Sequence, residues 1–249
     1  MARTARCISE SDVYHLTGRG VGLQSIFEDD RDKEVFIERL KMLPENDIEV
    51  LAWCLMENHF HLLVRAPLSA VSSTMRKLLS SYAAYFNVRH GRTGHLFQDR
   101  FTSEVVESDT HLLGAVRYIH QNPVKAKISS TCDYRWSSYQ EYVTKIKSGL
   151  CSTQMVKEML GSTEEIIRFH EVEEGTHLLK DVLPARRRMG DSEARDYLEK
   201  RFGKGFALHL STSDKNVRDV ALSEMKSAGL SVRQLQRLTG IGFGIIAKA

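Results

Sequence analysis

Apolar positions recur at strand and helix spacing along most of the first 145 residues. Tyr14 to Arg19 reads as a strand that ends at a glycine turn. Between Asp29 and Leu43, Val35, Phe36, Leu40 and Leu43 fall at helical spacing, with Asp29 or Asp30 as the N-cap and Pro44 as the stop. Ile48 to Met56 is a long apolar run rich in strand formers. Glu57-Asn58 is a short turn, and His59 to Arg65 runs back, which predicts a β-hairpin. Leu68 to Arg89 is a long helix with Met75, Leu78, Leu79, Tyr82 and Phe86 on one side. Gly91 to Gly94 is a loop, and Phe101 to Glu107 alternates as a further strand. Thr110 to Asn122 is a helix that Pro123 closes, because its ring disfavours helical geometry in the residue before it. The order strand, helix, strand, strand, helix, strand, helix predicts an α+β fold. Its layout is ferredoxin-like βαββαβ with one added helix.

Beyond this stretch the pattern changes. Asp133 to Tyr142 reads as an ordered edge segment, with Trp136 and Tyr139 packing onto the body. Residues 146–180 are helical and acidic, and Leu183 to Gly190 is a linker that contains Arg186, Arg187 and Arg188. Asp191 to Phe202 and Asn216 to Ala228 read as helices. Ser231 to Gly240 and Ile241 to Ala249 outline a helix, a glycine turn and a second helix. The expected organisation is a domain over 1–145, a helical connector and linker over 146–190, and a small all-α region over 191–249.

Composition narrows the class. The chain has 249 residues, 42% hydrophobic and 27% charged, which suits a globular protein and argues against wholesale disorder. No apolar run approaches the ~18 residues of a membrane span. Two early arginines at the N-terminus are followed by no apolar stretch, so the expected compartment is the cytoplasm. Cys7, Cys54, Cys132 and Cys151 are far apart with no C-x-x-C pair, so they read as reduced thiols. The net charge of +3 is uneven: residues 181–249 hold 13 Lys+Arg against 8 Asp+Glu, and the rest hold 22 against 24. A basic C-terminal part is compatible with nucleic-acid binding and equally with a solvated face.

The sharpest chemical feature is His59-Phe60-His61. Side chains two apart on a strand share a face, so both imidazoles point one way and Phe60 enters the opposite layer. Two neutral imidazoles side by side form a metal-binding pair that needs further ligands. In a chain with 10 histidines, ordinary strand histidines give the same pattern. The second feature is Tyr118 with Asn122, four apart and therefore stacked on one helical face. At ~100° per residue Tyr118 falls roughly opposite the stripe of Leu112, Leu113, Val116 and Ile119. A phenol is a poor nucleophile at its free pKa of about 10, so a reactive tyrosine needs a cation nearby. A metal held by the two histidines would supply it, and Asn122 would give the same ion an oxygen. Between Arg76 and Arg100 there are five Lys/Arg and one acid, interleaved with Tyr82, Tyr85, His90, His95 and Phe97. Such mixtures bind single-stranded nucleic acid, cations to phosphate and rings to bases.

The stretches YHLTGRG, IFEDDRDKEVFIERL, LMENHFHLLV, YFNVRHGRTGHLFQDRF, RYIHQNPVKA and YRWSSY resemble the single-tyrosine HUH transposases. They are closest to the REP-associated tyrosine transposase branch of the insertion-sequence transposases, over about residues 10–145. The resemblance implies a ferredoxin-like HUH nuclease domain that cuts and rejoins single-stranded or hairpin DNA. It places the nucleophile on Tyr118 and the ligands of Mg²⁺ or Mn²⁺ on His59, His61 and Asn122. Expected DNA contacts are Arg19, Arg92, His95, Gln98, Arg100, Lys125 and Arg233. SVRQLQRLTGIGFG resembles the helix-turn-helix of replication initiators, here expected to add affinity rather than chemistry. The implied partner is DNA, the implied state a monomer or a homodimer, and the implied setting a bacterial nucleoid-associated cytoplasm. The rival readings are a non-cutting DNA-binding protein derived from a transposase and, less favoured, a zinc hydrolase.

Overall fold

The computed structural model describes residues 6–42, 48–144, 146, 148–171, 191–228, 230 and 232–249. They form two compact units, one made of nearly all described residues through Glu171 and the other of those from Asp191 onward. In the first unit the elements are β1 (Val13–Arg19), α1 (Asp30–Met42), β2 (Glu49–Leu55), β3 (His59–Arg65), α2 (Leu68–Arg89), β4 (Thr102–Val105) and α3 (Asp109–Lys125). The sheet order is β2-β3-β1-β4, with every neighbouring pair antiparallel. This is the ferredoxin-like arrangement, with α3 as the added helix and the histidine strand β3 inside the sheet.

Alternation along the strands builds a separate core on each face. Tyr14, Leu16, Phe60, Leu62 and Val64 pack against α1 and α2, where Phe36, Met75, Leu78, Tyr82 and Phe86 are buried. Val13, Leu51, Cys54 and Leu63 point the other way, under Leu112, Ala115, Val116 and Ile119 of α3. A register shift in β2 between Val50 and Ala52 lets Leu51 and Ala52 both enter the second core, while Val50 and Trp53 serve the first. The outer edge of β2 is covered by residues 136–138: Leu55 N–H donates to Trp136 O at 2.8 Å and Ser138 N–H to Trp53 O at 2.9 Å. Trp136 is buried and its Nε1 donates to Asp30 Oδ1 at 2.8 Å, so this edge segment packs as expected.

Three short helices, α4 (Tyr139–Val143), α5 (Gln154–Leu160) and α6 (Thr163–Glu171), follow. Ile166 of α6 is buried in the same core as α3. His170 Nδ1 donates to Ile166 O at 2.8 Å, so its Nε2 accepts from His120 Nδ1 of α3 at 2.9 Å. In the second unit α7 (Asp191–Phe202), α8 (Phe206–Thr212), α9 (Lys215–Ser227), α10 (Val232–Thr239) and α11 (Phe243–Lys248) enclose their own core, including Leu198, Phe206, Leu222, Met225, Leu235 and Ile246. Gly240, at φ +73°, turns the chain between α10 and α11. No helix among the described residues is long and apolar enough to cross a membrane.

One expectation about the elements needs correction. Pro123 does not end α3, which runs to Lys125 with Ala126 N–H donating to Asn122 O at 2.9 Å. A proline this near the C-terminus removes only the hydrogen bond to Ile119 O, and its fixed φ suits the helix. Within the edge segment, Tyr139 and Tyr142 lie on the short helix α4. The seven residues of α8, with Gly203 at φ +88° and Gly205 at φ +81° just before it, are too few to show a helical period in sequence. Leu43 and Pro44, residues 172–180 of the acidic helical stretch and the linker with Arg186, Arg187 and Arg188 lie outside the described residues. Cys7, Cys54, Cys132 and Cys151 are all free thiols.

Gly18 lies opposite Phe60 in the β1–β3 register, and a Cβ there would fall 2.5 Å from Phe60 Cε1. Phe60 is fully enclosed by the first core and has nowhere to move. Gly18→Ala is therefore expected to cost about 1–3 kcal/mol through overpacking. A urea melt with an unchanged midpoint would contradict this packing.

Candidate active site

On the α3 face of the sheet, β1 and β3 bring together His15, His59 and His61. The His59 and His61 rings lie 5.0 Å apart, centroid to centroid, and His15 stacks on His61 at 5.2 Å. His59 Nδ1 donates to Asn58 Oδ1 at 2.7 Å. His61 Nδ1 meets His15 Nε2 at 2.9 Å, whereas His61 Nε2 is buried with no hydrogen-bond partner. Burial lowers the pKa of all three. His59 reaches about 4, with the Arg19 charge adding to the effect of burial. For His61, the neighbouring His59 and His15 and the Lys125 ammonium push the same way. All three imidazoles are thus held neutral at pH 7, the form that binds metal.

Helix α3 supplies the other half. Ser108 caps it, its Oγ accepting from His111 N at 3.2 Å, with Asp109 in the first turn. Tyr118 is half-buried, and its ring meets His61 at 5.6 Å and His15 at 5.9 Å, edge-on to both. The expected position opposite the apolar stripe is therefore corrected: Ala115 and Asn122 are also buried, which widens the contact face until Tyr118 sits on its flank above the histidines. Asn122 Nδ2 donates to Tyr118 O at 2.9 Å. Since a carbonyl only accepts, this fixes the amide orientation and leaves Oδ1 for the site. Asn122 favours the protonated form of both His59 and His61, as an amide oxygen near both rings does. Lys125 Nζ lies 4.4 Å above the Tyr118 ring. The tyrosine helix and the histidine strand meet within one chain.

An open cleft of about 1320 Å³ adjoins this cluster, lined by His15 and His59 together with Arg6, Arg19, Arg76, His95, Gln98 and Arg100. The expected contacts Arg19, His95, Gln98 and Arg100 thus share one wall system with the histidines. Arg92 does not line it; its guanidinium lies 5.5 Å from the Phe86 ring. The side chain of Arg233, on α10, lies outside the described residues. Three rings of the basic stretch prove structural rather than base-stacking. Tyr82 is fully buried with its hydroxyl on Ile26 O, Tyr85 donates to Asp32 Oδ1 at 3.3 Å, and His90 pairs with Asp32 Oδ2 at 3.0 Å. Arg89 is likewise bound to Asp29 Oδ2 at 2.6 Å and to Asp32 Oδ1 at 2.5 Å.

His15 was not singled out from sequence. The signal that finds it is pairwise: β1 pairs antiparallel with β3, and a histidine at an alternate position of β1 faces the same side as the H-x-H pair.

Residues 13–122 match the family described as Transposase IS200 like. The segment from Val13 to Asn122 is thus similar to the IS200-like transposases. The match opens at the first residue of β1 and closes at Asn122, so it spans the histidines and the tyrosine helix through its last site residue. A solved structure of a REP-associated tyrosine transposase bound to a REP hairpin has the same fold, with 18% identity and a TM-score of 0.50. The similarity covers 76% of this chain and 100% of that one. No curated protein is a significant match.

Five buried imidazoles, His15, His59, His61, His120 and His170, have lowered pKa values, chiefly through burial. In the unfolded chain each titrates near 6.5. Below that pH the unfolded state binds protons that the folded state refuses. Their contribution is complete above about pH 6.5 and declines toward about 4, where His59 and His170 titrate in the fold. Asp29, lowered to about 2 by Arg89, contributes stability throughout this range and loses it only as pH falls below about 4. In EDTA, urea midpoints are expected to fall steadily between pH 7 and 4.5, by up to about 1.4 kcal/mol per pH unit for each imidazole. A flat profile would contradict the neutral, enclosed histidines.

Proposed function

We propose that this protein is a DNA nicking and joining enzyme that cuts single-stranded or hairpin DNA through Tyr118. The observation that carries the reading is the meeting of the His59–His61 pair with Tyr118 and Asn122 in one site of one chain, beside a cleft rich in guanidinium groups. Tyr118 Oη attacks a backbone phosphorus. The Oη–P bond forms as the P–O3′ bond breaks, the phenol gives up its proton, and the departing 3′ oxygen takes one. The products are a 5′-phosphotyrosine and a free 3′-hydroxyl. Attack of a second 3′-hydroxyl on the same phosphorus reverses the step and joins strands. Because the phosphotyrosine keeps the bond energy, no nucleotide cofactor is required.

The residues fit a divalent ion. His61 Nε2 is a buried nitrogen without a partner, His59 Nδ1 is occupied by Asn58 so that its Nε2 is left, and Asn122 offers an oxygen. His59, His61 and Asn122 would hold Mg²⁺ or Mn²⁺, which when bound polarises a phosphoryl oxygen. The zinc-hydrolase reading needs a third His, Cys or carboxylate ligand beside His59 and His61, and among the described residues no three such side chains are placed to hold one ion, His15 Nε2 being engaged by His61 Nδ1. Lys125, above the Tyr118 ring, is placed to stabilise a developing phenolate. Arg19, Arg76, Arg100 and Gln98 hold the DNA backbone in the cleft, the contacts that set register rather than sequence. The basic second unit adds salt-dependent affinity.

Incubation with labelled single-stranded DNA from the flanks of its own gene and Mn²⁺, followed by a denaturing gel, is expected to show a covalent protein–DNA band. Tyr118→Phe should abolish the band while leaving DNA affinity within about twofold, since only the oxygen is removed and the ring contacts stay. A band that persists in this variant would assign the nucleophile elsewhere. His59→Ala, at the rim of the cluster, should lower adduct formation by at least about 100-fold at ordinary Mg²⁺ without loss of fold. Wild-type activity of this variant would sink the metal assignment.

A further inference from the structure

Which nitrogen of His61 faces the site is decided by a proton it shares with His15. His15 Nε2 and His61 Nδ1 are 2.9 Å apart, both residues are buried, and the rings lie parallel within 5°. At that separation two N–H groups cannot face each other, so one nitrogen donates and the other accepts. The far side of His15 breaks the tie. Its Nδ1 faces Glu104 Oε2 at 3.5 Å, and a carboxylate only accepts. His15 therefore carries its proton on Nδ1, its Nε2 accepts, and His61 donates from Nδ1. The opposite arrangement would set a His15 lone pair against the carboxylate. It would also put an N–H on His61 Nε2, a buried atom that makes no hydrogen bond.

We propose that His15, oriented by Glu104, is a positioning residue that locks His61 in its Nδ1–H tautomer and so presents the Nε2 lone pair to a divalent cation. The proposal rests on the reading of His59, His61 and Asn122 as ligands. The sheet itself assembles the relay. His15 and Glu104 are direct cross-strand partners of β1 and β4, and His61 lies diagonally across from His15 on β3. A neutral imidazole binds a metal through one lone pair, and the hydrogen bond at its other nitrogen selects which one. His59 is served by Asn58 from its own turn, so the two imidazoles reach the same tautomer by different routes.

The test starts from the metal-free, full-length protein labelled with ¹⁵N-histidine. Long-range imidazole ¹H–¹⁵N correlations are expected to show His61 as the Nδ1–H tautomer, and His15→Phe should abolish that single pattern. In calorimetric titration with MnCl₂, His15→Phe should bind about 10–100-fold more weakly. His15→Gln should recover most of the loss, because its amide oxygen can accept from His61. Glu104→Met, on the partly exposed edge strand, should weaken binding in the same direction without unfolding the chain. Finding His61 as Nε2–H in the wild type, or wild-type Mn²⁺ affinity in folded His15→Phe and Glu104→Met, would overturn the proposal alone. A wild-type chain that binds no Mn²⁺ would overturn the ligand reading and the proposal together.

Discussion

A slip of one residue in β3 would carry His59 and His61 into the apolar core under α1 and α2 and bring Phe60 and Leu62 into the site. The register is held against that slip from the apolar side. Phe60 and Leu62 are wholly enclosed, and the space Phe60 needs exists because residue 18 has no side chain. The packing of one face thus positions the chemistry of the other. The same register sets His15 beside His61 and Glu104 beside His15. The placement of the histidine cluster is in this sense a consequence of hydrophobic burial on the opposite side of the sheet.

Helix α3 answers to a second constraint. It must bury Leu112, Val116 and Ile119 against the sheet and still hold a tyrosine over the imidazoles. It does so by widening its contact face with Ala115, small enough to bring the helix close, and Asn122, whose amide donates to the helix's own Tyr118 carbonyl. The far side is closed by α6 through the His120–His170 hydrogen bond, so the helix is gripped from both sides. Tyr118 on such a helix has little freedom to turn away from the histidines, which is what the proposed in-line attack on a phosphorus would require.

Much of this was legible in the sequence because the strongest signals are local. The hydrophobic alternation in HFHLLVR and the long stripe from Leu68 to Arg89 place β3 and α2 at their observed bounds. The spacings His59/His61 and Tyr118/Asn122 are properties of a single strand and a single helix. What escaped depends on pairing between distant segments. His15 acquires its meaning only from the β1–β3 register, across 46 residues of chain. Tyr82, Tyr85 and His90 look like base-stacking rings until the buried Asp32, from α1, is seen to organise two of them along with Arg89. Pro123 misleads because its local rule ignores how few hydrogen bonds remain to be lost at the end of a helix.

The central claim is that Tyr118 becomes covalently joined to DNA at the histidine cluster of its own chain. Mass spectrometry of the tryptic digest after reaction with a short single-stranded oligonucleotide and Mn²⁺ tests it most directly. The account predicts a nucleotide attached through its 5′ phosphate to the peptide spanning residues 118–125, on its only tyrosine. A nucleotide on any other peptide, or cleaved DNA with no peptide attached, would contradict it.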